Sequence, residues 1–260
     1  MKGENERMAQ KRKRFKTLIL AAGKGTRMGS DLAKVLHRIH GRPLLDYVIE
    51  VAQRAGSEEI VAIVGHQAGL VKETFAGRKL VFVEQREQLG TGHAVLQARD
   101  VFAGYDGEVL ILCGDVPLLP LTTIEQLIGE HAASGAVVSV LTAHVDNPKG
   151  YGRIVKDGAG TLKKIVEERD ATDEERVIRE INSGIYLVGA SFLFDAVSRI
   201  TNDNNQKEYY LTDIIEMANR KGLVVHACLA EDARSVMGIN TPDELQQAAD
   251  YLGELEGRTD

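Results

Sequence analysis

A chain of 260 residues, 43% hydrophobic and 27% charged, carries enough apolar material for one large α/β domain and lies far from the composition of disorder. No apolar run approaches the ~20 residues of a membrane span, no signal-peptide pattern opens the chain, and Cys113 and Cys228 sit in apolar runs as expected of buried thiols in a reducing cytoplasm. The net charge of −6 conceals a local excess of +5 over residues 1–16, so residues 1–14 read as a basic, solvated leader before an acidic body that argues against nucleic acid as a partner.

The elements follow in chain order. Residues 16–21 read as a buried strand running into a glycine-rich loop, and a helix spans Pro43 to about Ala55, with Gly56 as its stop. A strand over 59–64, a helix over 67–76 and a strand over 79–83 come next. The loop QREQLGTGHA then leads into a helix reaching about Phe102. Residues 108–113 form a strand that stops at Gly114-Asp115-Val116-Pro117, followed by a helix from Thr122 to about Ala133 and a strand over 136–142. Continuous apolar strands alternating with helices predict a mostly parallel, Rossmann-like sheet flanked by helices. After residue 143 the rhythm changes. Residues 153–156, 161–167 and 179–188 read as antiparallel strands of a smaller mixed β lid, joined by an Asp157-Gly158 turn and a charged loop over 169–176. Two further helices, a strand over 223–229 and a polar helix from about Pro242 complete the chain.

Ligands of such sheets sit beyond the C-terminal strand ends, where the chemically distinctive residues fall. In LILAAGKGTRM, Gly23 and Gly25 let the backbone approach a ligand closely, and successive N–H groups there can cradle an anion, with Leu20 and Ala22 as further nucleotide-binding candidates of the same segment. Lys24 and Arg27 add positive charge. A Walker motif is absent, and Met28 occupies the third glycine position of the dinucleotide fingerprint, which disfavours an NAD dehydrogenase. Asp115, at a strand end between glycine and a proline-stiffened segment, suits either Mg²⁺ ligation or a turn hydrogen bond. In QREQLGTGHA, the Gln85 amide can read a base edge that offers a donor and an acceptor, with Gly90 and Thr91 offering backbone and hydroxyl groups; His93 reads as a helix-start histidine and not a catalyst.

With Lys34 just beyond the loop, LAAGKGTRM resembles the signature of sugar-1-phosphate nucleotidyltransferases, in which loop and lysine hold the triphosphate and the sugar phosphate. The ordered set LAAGKGTRM, LAKVLH, EQLGTGHA, GDVPLL, NPKGYGRIV, EINSGIYL and KEYYLTDII, over about residues 15–255, resembles the uridylyltransferase half of the bacterial bifunctional N-acetylglucosamine-1-phosphate uridylyltransferase/glucosamine-1-phosphate acetyltransferase family. The resemblance implies a nucleotide-diphospho-sugar transferase fold, with a UTP-binding half over 15–143, a sugar-binding half over 144–240, and a C-terminal helix and tail over 241–260. It implies catalytic roles for Arg27 and Lys34, Mg²⁺ on Asp115 and Asn240, and an amino sugar held by Gly152, Glu167, Asn182, Tyr210 and Thr212. Asn240-Thr241-Pro242 equally reads as a helix start with Thr241 as N-cap.

Ala33 and Cys113 depart from relatives that carry proline or an aromatic residue there, and no hexapeptide repeat follows. The expectation is therefore UTP and N-acetylglucosamine 1-phosphate as substrates, no acetyl transfer, no nucleic-acid or membrane partner, and a monomer or weak dimer. The alternatives are a uridylyl- or thymidylyltransferase for another sugar, such as glucose 1-phosphate, and a non-catalytic nucleotide-sugar sensor.

Overall fold

The computed structural model describes residues 14–256; the basic leader predicted over 1–14 lies outside these residues except for Arg14. The first half follows the predicted alternation. Strand β1 (Phe15–Ala21) is followed by β2 (Arg38–Ile39), β3 (Arg42–Pro43), helix α1 (Leu44–Arg54), β4 (Ile60–Val64), α2 (Ala68–Thr74) and β5 (Val81–Glu84). Next come α3 (Thr91–Gln97), β6 (Glu108–Cys113), α4 (Leu121–Ser134) and β7 (Val138–His144). The helix expected to reach Phe102 stops at Gln97, and turns carry the chain on to residue 104. The second half contains β8 (Arg153–Lys156), β9 (Leu162–Val166), α5 (Asp173–Arg176), β10 (Glu180–Gly189), α6 (Ala190–Val197), α7 (Asp213–Arg220), β11 (Val225–Leu229) and α8 (Pro242–Glu256). The stretch 169–176, expected as a charged loop, holds the one-turn helix α5, closed by a capping box between Thr172 and Glu175.

The helices form where apolar spacing and stop signals agree. In α1, Leu44, Leu45, Val48, Ile49, Val51 and Ala52 face inward. In α4, Thr123, Ile124, Leu127 and His131 are buried, and Gly135 ends the helix at φ 65°. The main sheet runs β11-β7-β10-β6-β1-β4-β5. Strands β5, β4, β1 and β6 pair in parallel, as do β7 and β11. Strand β10 lies antiparallel between β6 and β7, so a strand expected with the second-half β structure occupies the middle of the sheet. Its first residues also pair with β8, which hydrogen-bonds to β9. Two buried clusters fill the faces, one around Ile19, Leu110 and Leu141 and the other around Leu18, Ile111 and Val140. These residues alternate along the strands, as side chains on opposite faces must.

The direction of β10 matters for the site. Its N-terminal end lies at the edge where the parallel strands β1 and β6 finish, so the start of β10 faces the glycine loop's side of the sheet. Helix α8 closes a third cluster, in which Met28 and Leu44 are buried with Ile239 and Ala248, and Leu245, Ala249 and Leu252 pack around them. The helix expected as polar thus packs one apolar face, Leu245, Ala248, Ala249 and Leu252, on the domain. Met28, at the third position of the glycine fingerprint, has its side chain buried in that cluster at the end of the loop.

Candidate active site

A cleft of about 520 Å³ opens at the C-terminal ends of β1 and β6. Its lining includes Leu20, Ala22, Gly23, Gly25, Lys34, Gln85, Gly90, Thr91 and Asp115. The nucleotide-binding positions expected from the sequence are therefore gathered around one cavity. Gly25 has φ 66°, and a side chain there would meet the Lys34 Cβ at 2.7 Å. Glycine lets the loop adopt a left-handed turn and lie directly against the lysine.

At one end of the cleft four side chains meet. Lys34 forms an ion pair with Asp115, and its Nζ donates to Asn240 Oδ1 at 2.7 Å. Arg27 donates to the same oxygen at 2.8 Å. Ile239 N–H donates to the Asp115 carbonyl at 2.9 Å, which joins the segment before α8 to the end of β6. The Lys34 and Asp115 side chains are only 13% and 21% exposed, so their charges interact with less screening than surface ions. The Asp115 carboxylate and the Asn240 amide oxygen converge on one cation, the Lys34 ammonium. This donor set of two hard oxygens facing positive charge fits Mg²⁺, which takes one or two protein ligands and completes its shell with phosphate and water.

The loop over residues 88–92 is held by the segment over 208–211. Tyr209 N–H donates to the Leu89 carbonyl, Gly92 N–H to the Tyr209 carbonyl, and Leu211 N–H to Thr91 Oγ1. Gly90 adopts φ 107°, and a Cβ there would lie 2.7 Å from the Tyr209 oxygen. Gln85 is buried beneath this loop. Its Nε2 donates to the Gly90 carbonyl and to His93 Nδ1, each at 3.0 Å. The amide donor expected to meet a base is thus committed within the protein, and Gln85 braces the loop. His93 is held between Gln85 and Gln97 at the start of α3, as its sequence position suggested.

The residues expected to hold a sugar meet only in part. Thr212 Oγ1 donates to Glu167 Oε1 at 3.1 Å, and Asn182 N–H donates to the Gly152 carbonyl at 2.9 Å. A side chain at Gly152 would fall within 4 Å of both Asn182 and Glu167, so these four positions are neighbours. Burial raises the Glu167 pKa, with Asp213, Asp170 and Glu208 adding to the effect against the Thr212 hydrogen bond. The Tyr210 hydroxyl instead donates to Asp170 Oδ2 at 3.0 Å and accepts from Gln206. Tyr210 lines a separate acidic cavity with Asp170, Asp213 and Glu216, which Glu167 and Thr212 also border.

Gln88, Cys113 and Glu208 line the main cleft without having been singled out for binding. Gln88 and Glu208 lie inside QREQLGTGHA and KEYYLTDII, so those motifs were the available signal. Both cysteines are free thiols. Burial, assisted by Asp115, pushes the Cys113 thiol up to about 12, which makes it a poor nucleophile. Among the described residues, no helix is long and apolar enough to cross a membrane.

The chain is 52% identical over 235 residues to the bifunctional protein GlmU of Geobacter metallireducens, covering 90% of this chain and 49% of that protein. It is 51% identical to the bifunctional protein GlmU of Pelobacter propionicus and 48% identical to that of Pelotomaculum thermopropionicum, with 90% of this chain and 51% of each relative covered. The chain thus spans about half the length of the curated relatives it matches. Residues 17–210, which carry the glycine loop, the Asp115 strand end and the clamped 88–92 loop, match the MobA-like NTP transferase domain, and the chain belongs to that family.

Proposed function

We propose that this chain transfers the uridylyl group of UTP to N-acetylglucosamine 1-phosphate, giving UDP-N-acetylglucosamine and pyrophosphate for aminosugar and cell-wall precursor synthesis. The observation that carries the reading is the meeting of Arg27, Lys34, Asp115 and Asn240 at the glycine-loop cleft. In this reaction a phosphate oxygen of the sugar attacks the α-phosphorus of UTP, the bond to the bridging oxygen breaks, and its electron pair leaves with pyrophosphate. A phosphate monoester with a second pKa of ~6 is already mostly dianionic at neutral pH, so the nucleophile needs no general base. The barrier lies in bringing two polyanions together, and catalysis is positioning and charge neutralisation.

Each group then has a task. The Gly23–Gly25 loop faces the triphosphate, Lys34 offsets negative charge at the reacting phosphates, and Arg27 holds the departing pyrophosphate. Asp115 and Asn240 would hold Mg²⁺, which when bound neutralises phosphate charge. Gln85 keeps the 88–91 loop in place, so that its backbone and Thr91 meet the uracil. Gly152, Glu167, Asn182 and Thr212 supply the hydrogen bonds that a neutral acetamido sugar requires, and a pocket of this kind discriminates against analogues lacking the matching group.

The test is pyrophosphate release by the purified chain with UTP, Mg²⁺ and a panel of sugar 1-phosphates. N-acetylglucosamine 1-phosphate is expected to turn over fastest. A faster rate with glucose 1-phosphate, or with dTTP, would reassign the substrate. Binding of UTP with no release from any pair would mean a sensor and not an enzyme.

A further inference from the structure

Asn240 stands on an irregular segment, residues 237–241, outside any helix or strand. Its side-chain oxygen nevertheless receives both Lys34 and Arg27. Its own amide nitrogen donates to the Gly238 carbonyl at 2.8 Å, which sets the amide plane but leaves the peptide nitrogen to be held elsewhere. Glu244 does this. One carboxylate oxygen, Oε2, accepts from Asn240 N–H at 2.6 Å and from Thr241 N–H at 3.1 Å. Thr241 Oγ1 in turn accepts from Glu244 N–H at 3.2 Å.

The Thr241 and Glu244 bonds form the capping box of α8. An ordinary box needs the carboxylate only at the N-cap N–H. Here the shorter bond reaches one residue further, to the residue whose side chain enters the site. Hydrogen bonds to an ionised acceptor are roughly twice as strong as neutral ones, and this one acts on the peptide that carries Asn240. We infer that Glu244 is a positioning residue for nucleotidyl transfer, holding the Asn240 amide oxygen at the point where Lys34 and Arg27 converge. The inference rests on the reading of Asn240 as part of the site.

The box offers its own control, because Thr241→Ala weakens the helix cap without releasing Asn240. The experiment compares Glu244→Ala, Glu244→Gln, Thr241→Ala and Asn240→Ala in the whole chain. It measures thermal midpoint, amide hydrogen exchange over residues 238–243 without nucleotide, and steady-state kinetics with UTP, Mg²⁺ and N-acetylglucosamine 1-phosphate. Glu244→Ala and Thr241→Ala should lower the midpoint by similar amounts. Glu244→Ala alone should speed exchange at Asn240 and lower kcat by ~10–100-fold, as loss of a group that orients a ligand does, with little change in KM for UTP. Glu244→Gln should recover most of the rate, since a single carbonyl oxygen can accept from both N–H groups. A normal kcat in Glu244→Ala beside an inactive Asn240→Ala would overturn the inference. So would an equal loss of kcat in Thr241→Ala, which would reduce Glu244 to a helix cap. Full activity in Asn240→Ala would remove the reading of Asn240 itself, and the inference with it.

Discussion

Lys34 Nζ lies 2.7 Å from Asn240 Oδ1 across 206 residues of chain, while the same ammonium pairs with Asp115. A single lysine thus ties the loop after β1, the end of β6 and the segment before α8 into one charged centre. Removing a preorganised charge-stabilising group of this kind costs on the order of 10²–10³ in rate. Lys34→Ala should lose kcat by that factor while retaining its circular dichroism spectrum. Lys34→Arg should restore little, because a planar fork does not fit where a compact ammonium meets two oxygens. Near-normal turnover in Lys34→Ala would refute the assignment.

Asp115→Asn keeps the shape of the side chain and removes its charge. If Asp115 holds the divalent cation, the variant should require much more Mg²⁺ for half-maximal rate, and raising Mg²⁺ should recover part of the activity. Manganese binding in the presence of UTP, followed by electron paramagnetic resonance, gives an independent measure. Unchanged metal affinity by both methods would remove Asp115 from the ligand set.

Gly90→Ala should destabilise the fold and not only weaken binding. Its Cβ would enter the backbone of Tyr209, 2.7 Å from O and 2.8 Å from N, at a φ of 107°. Steric strain at such a backbone position costs about 1–3 kcal/mol, which urea unfolding would detect as a lowered midpoint. The variant should also raise KM for UTP, since Gln85 and Thr91 both hold this loop. A midpoint equal to wild type would show that the two segments part easily.

Asp213 supplies a test with a defined pH dependence. Burial first, then the nearby Glu216 and Asp170, raise its pKa from 3.8 to about 6. The folded state therefore binds the proton more tightly than the unfolded state, and stability falls as pH rises from about 4 through about 6. Asp213→Asn removes this penalty. It should be more stable than wild type at pH 7.5, by about 1 kcal/mol once solvent screening of a partly exposed group is allowed for. The gain should shrink as pH falls through about 6 and disappear below about pH 3, where the aspartate is protonated in both states. A gain independent of pH would mean that charge is not its cause.

Glu167→Gln separates the sugar side from the nucleotide side. Glutamine can still accept from Thr212 Oγ1, so the 3.1 Å contact survives, but the charge is lost. KM for the sugar phosphate should rise about 10-fold or more with KM for UTP nearly unchanged, as loss of one specific recognition contact predicts. Equal rises in both would place Glu167 in the scaffold.

Much was legible along the chain because it is written locally. Apolar runs with glycine and proline punctuation mark β1, β4, β6 and α1 to within a residue or two, and the glycine-rich loop after a buried strand is found lining the cleft. Asp115 at the end of β6 and the Thr241 helix start follow from the same short-range rules. The tertiary structure decided the rest. Hydrophobic periodicity reports which face of a strand is buried but not which neighbour it pairs with, so the antiparallel insertion of β10 between β6 and β7 had no local signal. Nor did the inward turn of the Gln85 amide, the diversion of Tyr210 to Asp170, or the reach of Glu244 to Asn240. Each depends on a hydrogen-bond partner set by how the backbone packs, and residue type alone states only that a donor or acceptor is present.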